Sequence, residues 1–257
     1  MDEIRIIILA IIQGVTEFLP ISSSGHLVLF ENIFGISNDD ISIEVILHFG
    51  TLISILIYFR EDILDILTGF LKGNKDCNMY IANVFIATIP IVLCVLLFRD
   101  SINSIFSIKV LLYTYVLNMI ILYLTKGKSS QNSNITYSLA IFMGFAQALA
   151  IFPGISRAGI TICTGLMLGY NQNTVARFSF FMAIPALLGA IIFEFNSIIL
   201  LAKESFHLIA IGLFFSMITG LFALKLLFKV LQNKNLWIFS YYCLFIWFII
   251  NVIVYNG

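Results

Sequence analysis

Ile81–Phe98 and Leu236–Val254 each run without one charged side chain, and Ile43–Phe59, Val110–Thr125, Phe178–Leu201 and His207–Val230 carry at most two apiece. A helix needs about 20 mostly apolar residues, with a usual range of about 17 to 25, to cross a bilayer. Six runs of that kind leave few folds open. They stop at polar turns: Arg60-Glu61-Asp62, Arg99-Asp100, Lys126-Gly127-Lys128, Lys203-Glu204 and Gln232–Asn235. Composition agrees, since 60% of the 257 residues are hydrophobic and 11% charged, against about 25% charged in soluble domains. With a mean hydropathy of +1.04, the chain reads as an integral membrane protein.

Two stretches do not fit a pattern of simple crossings. Ile4–Pro20 begins apolar, but Gln13 and Glu17 share a helical face at i, i+4 spacing, Pro20 breaks the helix, and a short apolar piece, Leu27–Ile36, follows. Tyr137–Phe152, the Pro153-Gly154 break and Ile160–Gly169 repeat the plan. At an offset of 134 positions, Gln13 falls on Gln147, Phe18 on Phe152, Ser22 on Ser156 and Gly25 on Gly159. Irregular backbone at membrane depth survives only where protein buries it or it lines a cavity, so each unit is expected to be a re-entrant hairpin.

Each hairpin is followed by three crossings, an odd number, so the second half starts from the opposite side. The expected fold is therefore an all-α integral membrane protein of six transmembrane helices plus two re-entrant helical hairpins in an inverted-topology repeat, as in many secondary transporters. It forms one membrane domain over residues 1–257. The first repeat spans 1–125 (hairpin 4–36) and the second 136–257 (hairpin 137–169). Lys126–Ser133 reads as a solvated connection. Basic residues count 7 (Arg60, Lys72, Lys75, Lys126, Lys128, Lys229, Lys234) against 4 (Arg5, Arg99, Lys109, Lys203) on the two sides. By the positive-inside rule both termini then lie outside.

Other features exclude classes. Fourteen basic and fourteen acidic residues cancel, which leaves no field to draw in nucleic acid. Cys77, Cys94, Cys163 and Cys243 show no CxxC spacing and read as packing residues. The N-terminus lacks a basic n-region, so no removable signal peptide is expected. The 25 phenylalanines read as packing and lipid-facing groups.

Ionisable residues within membrane segments are costly and therefore candidates for function. Glu17, one turn after Gln13, can carry protons, hold a metal or cap the hairpin's backbone; the sequence leaves these open. His26 follows Ser22-Ser23-Ser24-Gly25. Its imidazole suits a general base or nucleophile, and the serines offer a nucleophile, anion donors or a helix cap. Arg157, flanked by Gly154, Ser156 and Gly159, presents a fork suited to phosphate oxygens beside the N-terminus of Ile160–Gly169. The structural alternative is an ion pair with Glu17. Glu44, His48 and Arg177 are weaker candidates. An anion clamp, nucleophiles and a proton carrier within a membrane suit hydrolysis of a phosphate ester or anhydride on a lipid, and no P-loop is present. A transporter of lipid phosphates or other anions is the alternative, and a scaffold for envelope synthesis a third.

Gln13-x-x-x-Glu17-Phe18-Leu19-Pro20-Ile21-Ser22-Ser23-Ser24-Gly25-His26 and Pro153-Gly154-Ile155-Ser156-Arg157-Ala158-Gly159 resemble the two signature motifs of the undecaprenyl-diphosphate phosphatase family of the bacitracin-resistance type. The resemblance extends over the whole chain in length and segment order. It implies a bacterial inner-membrane enzyme that removes the terminal phosphate of undecaprenyl diphosphate and so recycles the lipid carrier of peptidoglycan and other envelope polymers. It also implies a divalent cation (Mg²⁺ or Ca²⁺), a site open to the outer face, and bacitracin resistance on overproduction. By position it assigns Glu17, His26 and Ser22–Ser24 to catalysis. Arg157, Ser156, Gly154, Gly159 and Gly25 go to diphosphate binding, and Glu17 with neutral Gln13 to the metal. The partners expected are the polyprenyl lipid, the bilayer and a second copy of the chain, with no nucleic acid. Two positions depart from the motifs: Gln13 stands where Glu is common, and Ala158 where a second Ser is usual.

Overall fold

A computed structural model describes residues 3–34, 41–128 and 130–256. Among them every regular element is helical: α1 (Glu3–Phe18), α2 (Ser23–Phe34), α3 (Ile41–Tyr58), α4 (Arg60–Leu71), α5 (Lys75–Ile105), α6 (Ile108–Tyr123), α7 (Tyr137–Leu149), α8 (Arg157–Met167), α9 (Gln172–Phe193), α10 (Phe195–Gln232) and α11 (Phe239–Asn256), the last preceded by a 3₁₀ turn at Leu236–Ile238. Ile36, the expected end of the first hairpin, lies outside the described residues, as do the side chains of Arg99, Asp100, Lys203 and Glu204.

Among the described residues, four helical stretches are long and apolar enough to cross a membrane: Lys75–Phe98, Gln172–Phe193, Ser205–Gln232 and Leu236–Tyr255. A fifth arises if Ile43–Tyr58 and Arg60–Leu71, bent by 72°, form one broken span. Ile108–Tyr123 and Tyr137–Leu149 are shorter apolar helices. The chain is thus a multi-pass, all-helical membrane protein. One expected run is cut short, because Phe178–Leu201 does not continue as a single helix. It ends at Phe193, and Glu194, the only charge in the run, takes φ −97° and ψ 14° between α9 and α10.

The halves of the chain interlock. Helix α1 packs on α10 and α3, α5 on α7 and α9, and α6 on α11. Helices in lipid associate through small residues that let backbones approach, and the α1–α10–α3 contact shows why. A Cβ at Gly14 would meet Thr219 Oγ1 and sit 2.6 Å from the Ser216 carbonyl oxygen. A Cβ at Gly50 would meet Ser216 Oγ and sit 2.8 Å from the Leu213 carbonyl oxygen. Ser54 Oγ, on α3, donates across this seam to Met217 O at 2.8 Å. Nearby, Phe180 of α9 meets Phe18 edge-on at 5.7 Å and stacks on Phe59 at 6.0 Å. The end of α1 is thereby fixed against α3 and α9.

Overpacking a close seam of this kind costs about 1–3 kcal/mol. Gly14→Val is expected to lower the thermal unfolding midpoint of the detergent-solubilised protein accordingly. An unchanged midpoint would contradict the close approach of α1 to α10.

Candidate active site

Between α1 and α2 the chain turns through Leu19-Pro20-Ile21, where the proline lacks the N–H that would extend the helix. Ser22 then takes a left-handed φ of 69°, a conformation that costs a non-glycine residue of order 1–3 kcal/mol. Its own side chain holds it there. Ser22 Oγ accepts the Gly25 N–H at 3.2 Å, which caps α2, and also the Gly154 N–H at 3.1 Å from the other break. Ser156 does the corresponding work at α8: its Oγ accepts the Gly159 N–H at 3.1 Å and donates to Leu19 O at 3.4 Å. Each break therefore caps a helix and satisfies the backbone of the other.

Glycines permit the approach. A Cβ on Gly25 would lie 2.9 Å from the Gly154 Cα, and Gly154 itself has φ +94°. Asn118 of α6, fully buried, clasps both loops. Its Nδ2 donates to Pro20 O at 3.1 Å and its Oδ1 accepts the Ser156 N–H at 3.1 Å.

This clasp brings two ionisable groups 140 residues apart into contact. Arg157, the first residue of α8, donates from Nη2 to Glu17 Oε1 at 2.7 Å. On the other oxygen, Glu17 Oε2 accepts from Ser23 Oγ at 2.7 Å and from Gln13 Nε2 at 3.1 Å, with His48 Nδ1 3.4 Å away. Gln13 Nε2 also donates to His48 Nδ1 at 2.8 Å, which leaves the proton of a neutral His48 on Nε2. Arg157 is further held by Nη1 to Ser179 O at 3.5 Å, and its guanidinium lies 6.0 Å from the Phe180 ring centroid. Glu17 is buried, while the Arg157 and His48 side chains keep 16% and 24% exposure. The cluster therefore remains partly accessible.

The three serines part company. Ser22 is a cap and a stitch, and Ser24 Oγ rests on Ser22 Oγ at 3.3 Å. Ser23 is the one whose hydroxyl points at a carboxylate. His26 faces elsewhere: Nδ1 donates to Ser22 O at 2.7 Å and lies 3.1 Å from Tyr115 Oη, and Nε2 accepts from Tyr242 Oη at 2.8 Å. The His26 and Tyr242 rings stack at 5.7 Å. His48 joins the site, but the other weak candidates do not. Glu44 shares a hydrogen bond with Glu31, and Arg177 pairs with Asp62 at 2.6 Å. Ala158 lies fully buried in the main apolar core, so its methyl group suits its surroundings. Gln147, the counterpart of Gln13 at the 134-residue offset, is also buried, with neither side-chain polar atom partnered.

Asn118, Tyr115, Tyr242 and Ser179 are absent from the sequence reading. A search for ionisable groups in apolar runs passes over a neutral amide, a phenol and a backbone carbonyl.

A family model described as "Bacitracin resistance protein BacA" matches residues 6–249. The chain belongs to the BacA family. Among its relatives, a protein of Halothermothrix orenii is 39% identical over 249 residues, covering 95% of each chain. One of Thermosipho africanus is 40% identical over 244 residues, covering 93% of this chain and 96% of the other. One of Methanobrevibacter smithii is 36% identical over 276 residues, covering 100% and 98%. All three bear the name undecaprenyl-diphosphatase. The BacA match spans both breaks and all eleven helices in whole or part.

Asn118→Ala orphans a buried carbonyl and a buried N–H, each worth about 1–3 kcal/mol when left unpaired. The variant is expected to unfold at a clearly lower temperature in detergent than the wild type. Equal midpoints would remove the clasp from the account.

Proposed function

We propose that this chain is a membrane phosphatase that hydrolyses undecaprenyl diphosphate to undecaprenyl phosphate and inorganic phosphate. Such a reaction recycles the lipid carrier of peptidoglycan and other envelope polymers, and overproduction would confer resistance to bacitracin. The observation that carries the reading is one cluster: Ser23 Oγ donating to Glu17, and Glu17 paired with Arg157. Ser23 and Arg157 stand at the first turns of α2 and α8, two helix N-termini brought together, where backbone N–H groups and the helix dipoles favour phosphate. The names borne by the relatives support the same substrate.

In this mechanism the diphosphate takes over the Arg157 guanidinium, whose fork binds two phosphate oxygens. Glu17, relieved of its cation, accepts the Ser23 proton on Oε2. Ser23 Oγ forms a bond to the terminal phosphorus as the bond to the bridging oxygen breaks, and undecaprenyl phosphate leaves with that oxygen. Water then attacks the phosphorus of the seryl phosphate as Glu17 returns its proton to the departing Ser23 Oγ, so that phosphate leaves with both protons of the water and Ser23 and the Glu17 carboxylate are restored. In-line transfer of this kind needs chiefly positioning and charge stabilisation. The reading moves the base from His26 to Glu17, because the His26 Nε2 lone pair is taken by Tyr242. His26 instead keeps the strained Ser22 turn in place.

A divalent cation, implied by resemblance, does not fit these residues as a resident ion. Among the described residues no group of three or more His, Cys, Asp or Glu could hold a metal. Glu17, the one carboxylate in the cluster, already has both oxygens engaged, and Gln13 is neutral. Mg²⁺ commonly binds through few protein ligands and substrate phosphates, so the cation would arrive with the incoming diphosphate.

The finer architecture belongs to the same reading. It takes α1–α2 and α7–α8 as re-entrant hairpins and α3, α5, α6, α9, α10 and α11 as six crossings. The repeats are 1–125 and 136–257 in inverted topology, within a bacterial inner membrane and with the site open to the outer face. The matched caps at Ser22 and Ser156 and the distribution of basic residues support it. A homodimer is also proposed, for which light scattering of the solubilised protein should give twice 28.9 kDa.

Phosphate release from undecaprenyl diphosphate with Mg²⁺ tests the whole. Glu17→Gln, Ser23→Ala and Arg157→Ala are each expected to lower turnover by about 10²–10⁴-fold. Full activity in Arg157→Ala would overturn the site, and no release by the wild type would favour a transporter. Electron paramagnetic resonance of Mn²⁺ added to the substrate-free protein should show free ion only; a bound signal would restore a resident metal.

A further inference from the structure

His48 is the one partly exposed member of the Glu17 cluster that takes no part in the transfer described above. It reaches the site from α3, and its Nδ1 lies 3.4 Å from Glu17 Oε2. Arg157 Nη2 sits 2.7 Å from Oε1 of the same carboxylate. The imidazole and the guanidinium thus stand at the two oxygens of one buried group, and their side chains keep 24% and 16% exposure. A ligand that enters the cluster meets these two, and both can donate.

Which nitrogen of His48 donates is decided by contacts that start at Glu17. Gln13 Nε2 donates to Glu17 Oε2 at 3.1 Å. The reverse orientation of the amide would set two oxygens against each other with no proton between them. The NH₂ group is therefore fixed, and its second proton goes to His48 Nδ1 at 2.8 Å. Nδ1 accepts, so a neutral ring carries its proton on Nε2. Among the described residues that Nε2 has no hydrogen-bond partner. The arrangement has a cost, because Gln13 Oε1 is buried without a partner. An apolar side chain of similar length would leave no acceptor unpaired. Packing does not account for the amide, then, whereas the orientation of its NH₂ group does. A carboxylate at position 13 would draw the proton to Nδ1 and leave Nε2 with only a lone pair to offer.

A phosphate on Arg157 has more oxygens than one guanidinium fork serves. Backbone donors nearby are partly spent, since the Gly25 and Gly159 N–H groups go to Ser22 and Ser156. We propose that His48 binds the terminal phosphate of the substrate through Nε2–H, and that Gln13 is the positioning residue that gives His48 this tautomer. The proposal deepens the phosphatase reading above and rests on it. A neutral donor suits the place, because it serves a phosphate oxygen without adding a second positive charge beside Arg157.

The test uses the full chain in detergent, with its histidines labelled with nitrogen-15. The signal that His48→Ala or His48→Gln removes belongs to His48, the other histidines being His26 and His207. The wild type is expected to show Nε2 protonated and Nδ1 bare, and added inorganic phosphate should shift the Nε2 signal. Gln13→Met, which keeps the length but removes the donor, should move part of the proton to Nδ1. In turnover of undecaprenyl diphosphate, His48→Ala is expected to lower kcat/KM about 10–100-fold, the worth of one hydrogen bond to a charged group. His48→Gln sets an amide N–H near the place of Nε2 and should recover most of that loss. A wild-type His48 with its proton on Nδ1 overturns the proposal. So does an Nε2 signal indifferent to phosphate, or wild-type kcat/KM in His48→Ala. A wild type that releases no phosphate sinks the phosphatase reading instead, and the nitrogen signals then still decide whether His48 binds phosphate.

Discussion

Backbone N–H and C=O groups need partners where water is excluded, and the breaks between α1 and α2 and between α7 and α8 leave several of them without a helical one. The fold around the site follows from how they are paired. Ser22 takes an N–H from each break, Ser156 caps its own helix and reaches the opposite carbonyl, and Asn118 joins Pro20 to Ser156. Neither loop is satisfied without the other. The pairing that makes the breaks tolerable is also what places two helix N-termini side by side, with Glu17 and Arg157 in contact.

Within this frame the ion pair ties the end of α1 to the start of α8. Removing one partner of a buried pair typically costs about 3–5 kcal/mol, because the other charge is stranded. An anionic ligand can replace Glu17 on Arg157 without stranding the guanidinium, and the freed carboxylate then stands against the Ser23 hydroxyl. His26 and its tyrosines sit behind the turn, supporting its shape.

Much of this was legible in the sequence, for physical reasons. Long apolar runs can lie only in a bilayer, so the helical membrane class followed from Ile81–Phe98 and Leu236–Val254 alone. Glu17 and Arg157 were conspicuous because charge in such surroundings needs a partner, and each proved to be the other's. What the sequence hid was orientation. Three adjacent serines are indistinguishable by type, yet one caps, one leans on its neighbour and one faces a carboxylate. His26 drew attention through its neighbours in the chain, whereas its neighbours in space, Tyr115 and Tyr242, come from distant helices. Asn118 carries no charge to draw attention, and α9 ends at Phe193 inside what reads as one apolar run.

The separation of Glu17 from Arg157 along the chain also bears on how the molecule is made. Synthesis delivers α1 and α2 long before residues 154–157, and until then Glu17 lacks its cation and Ser22 lacks the Gly154 N–H that helps hold its turn. The turn that joins α1 to α2 is therefore not satisfied by the amino-terminal half alone, and the partners that complete it are supplied only once α7 and α8 have been made.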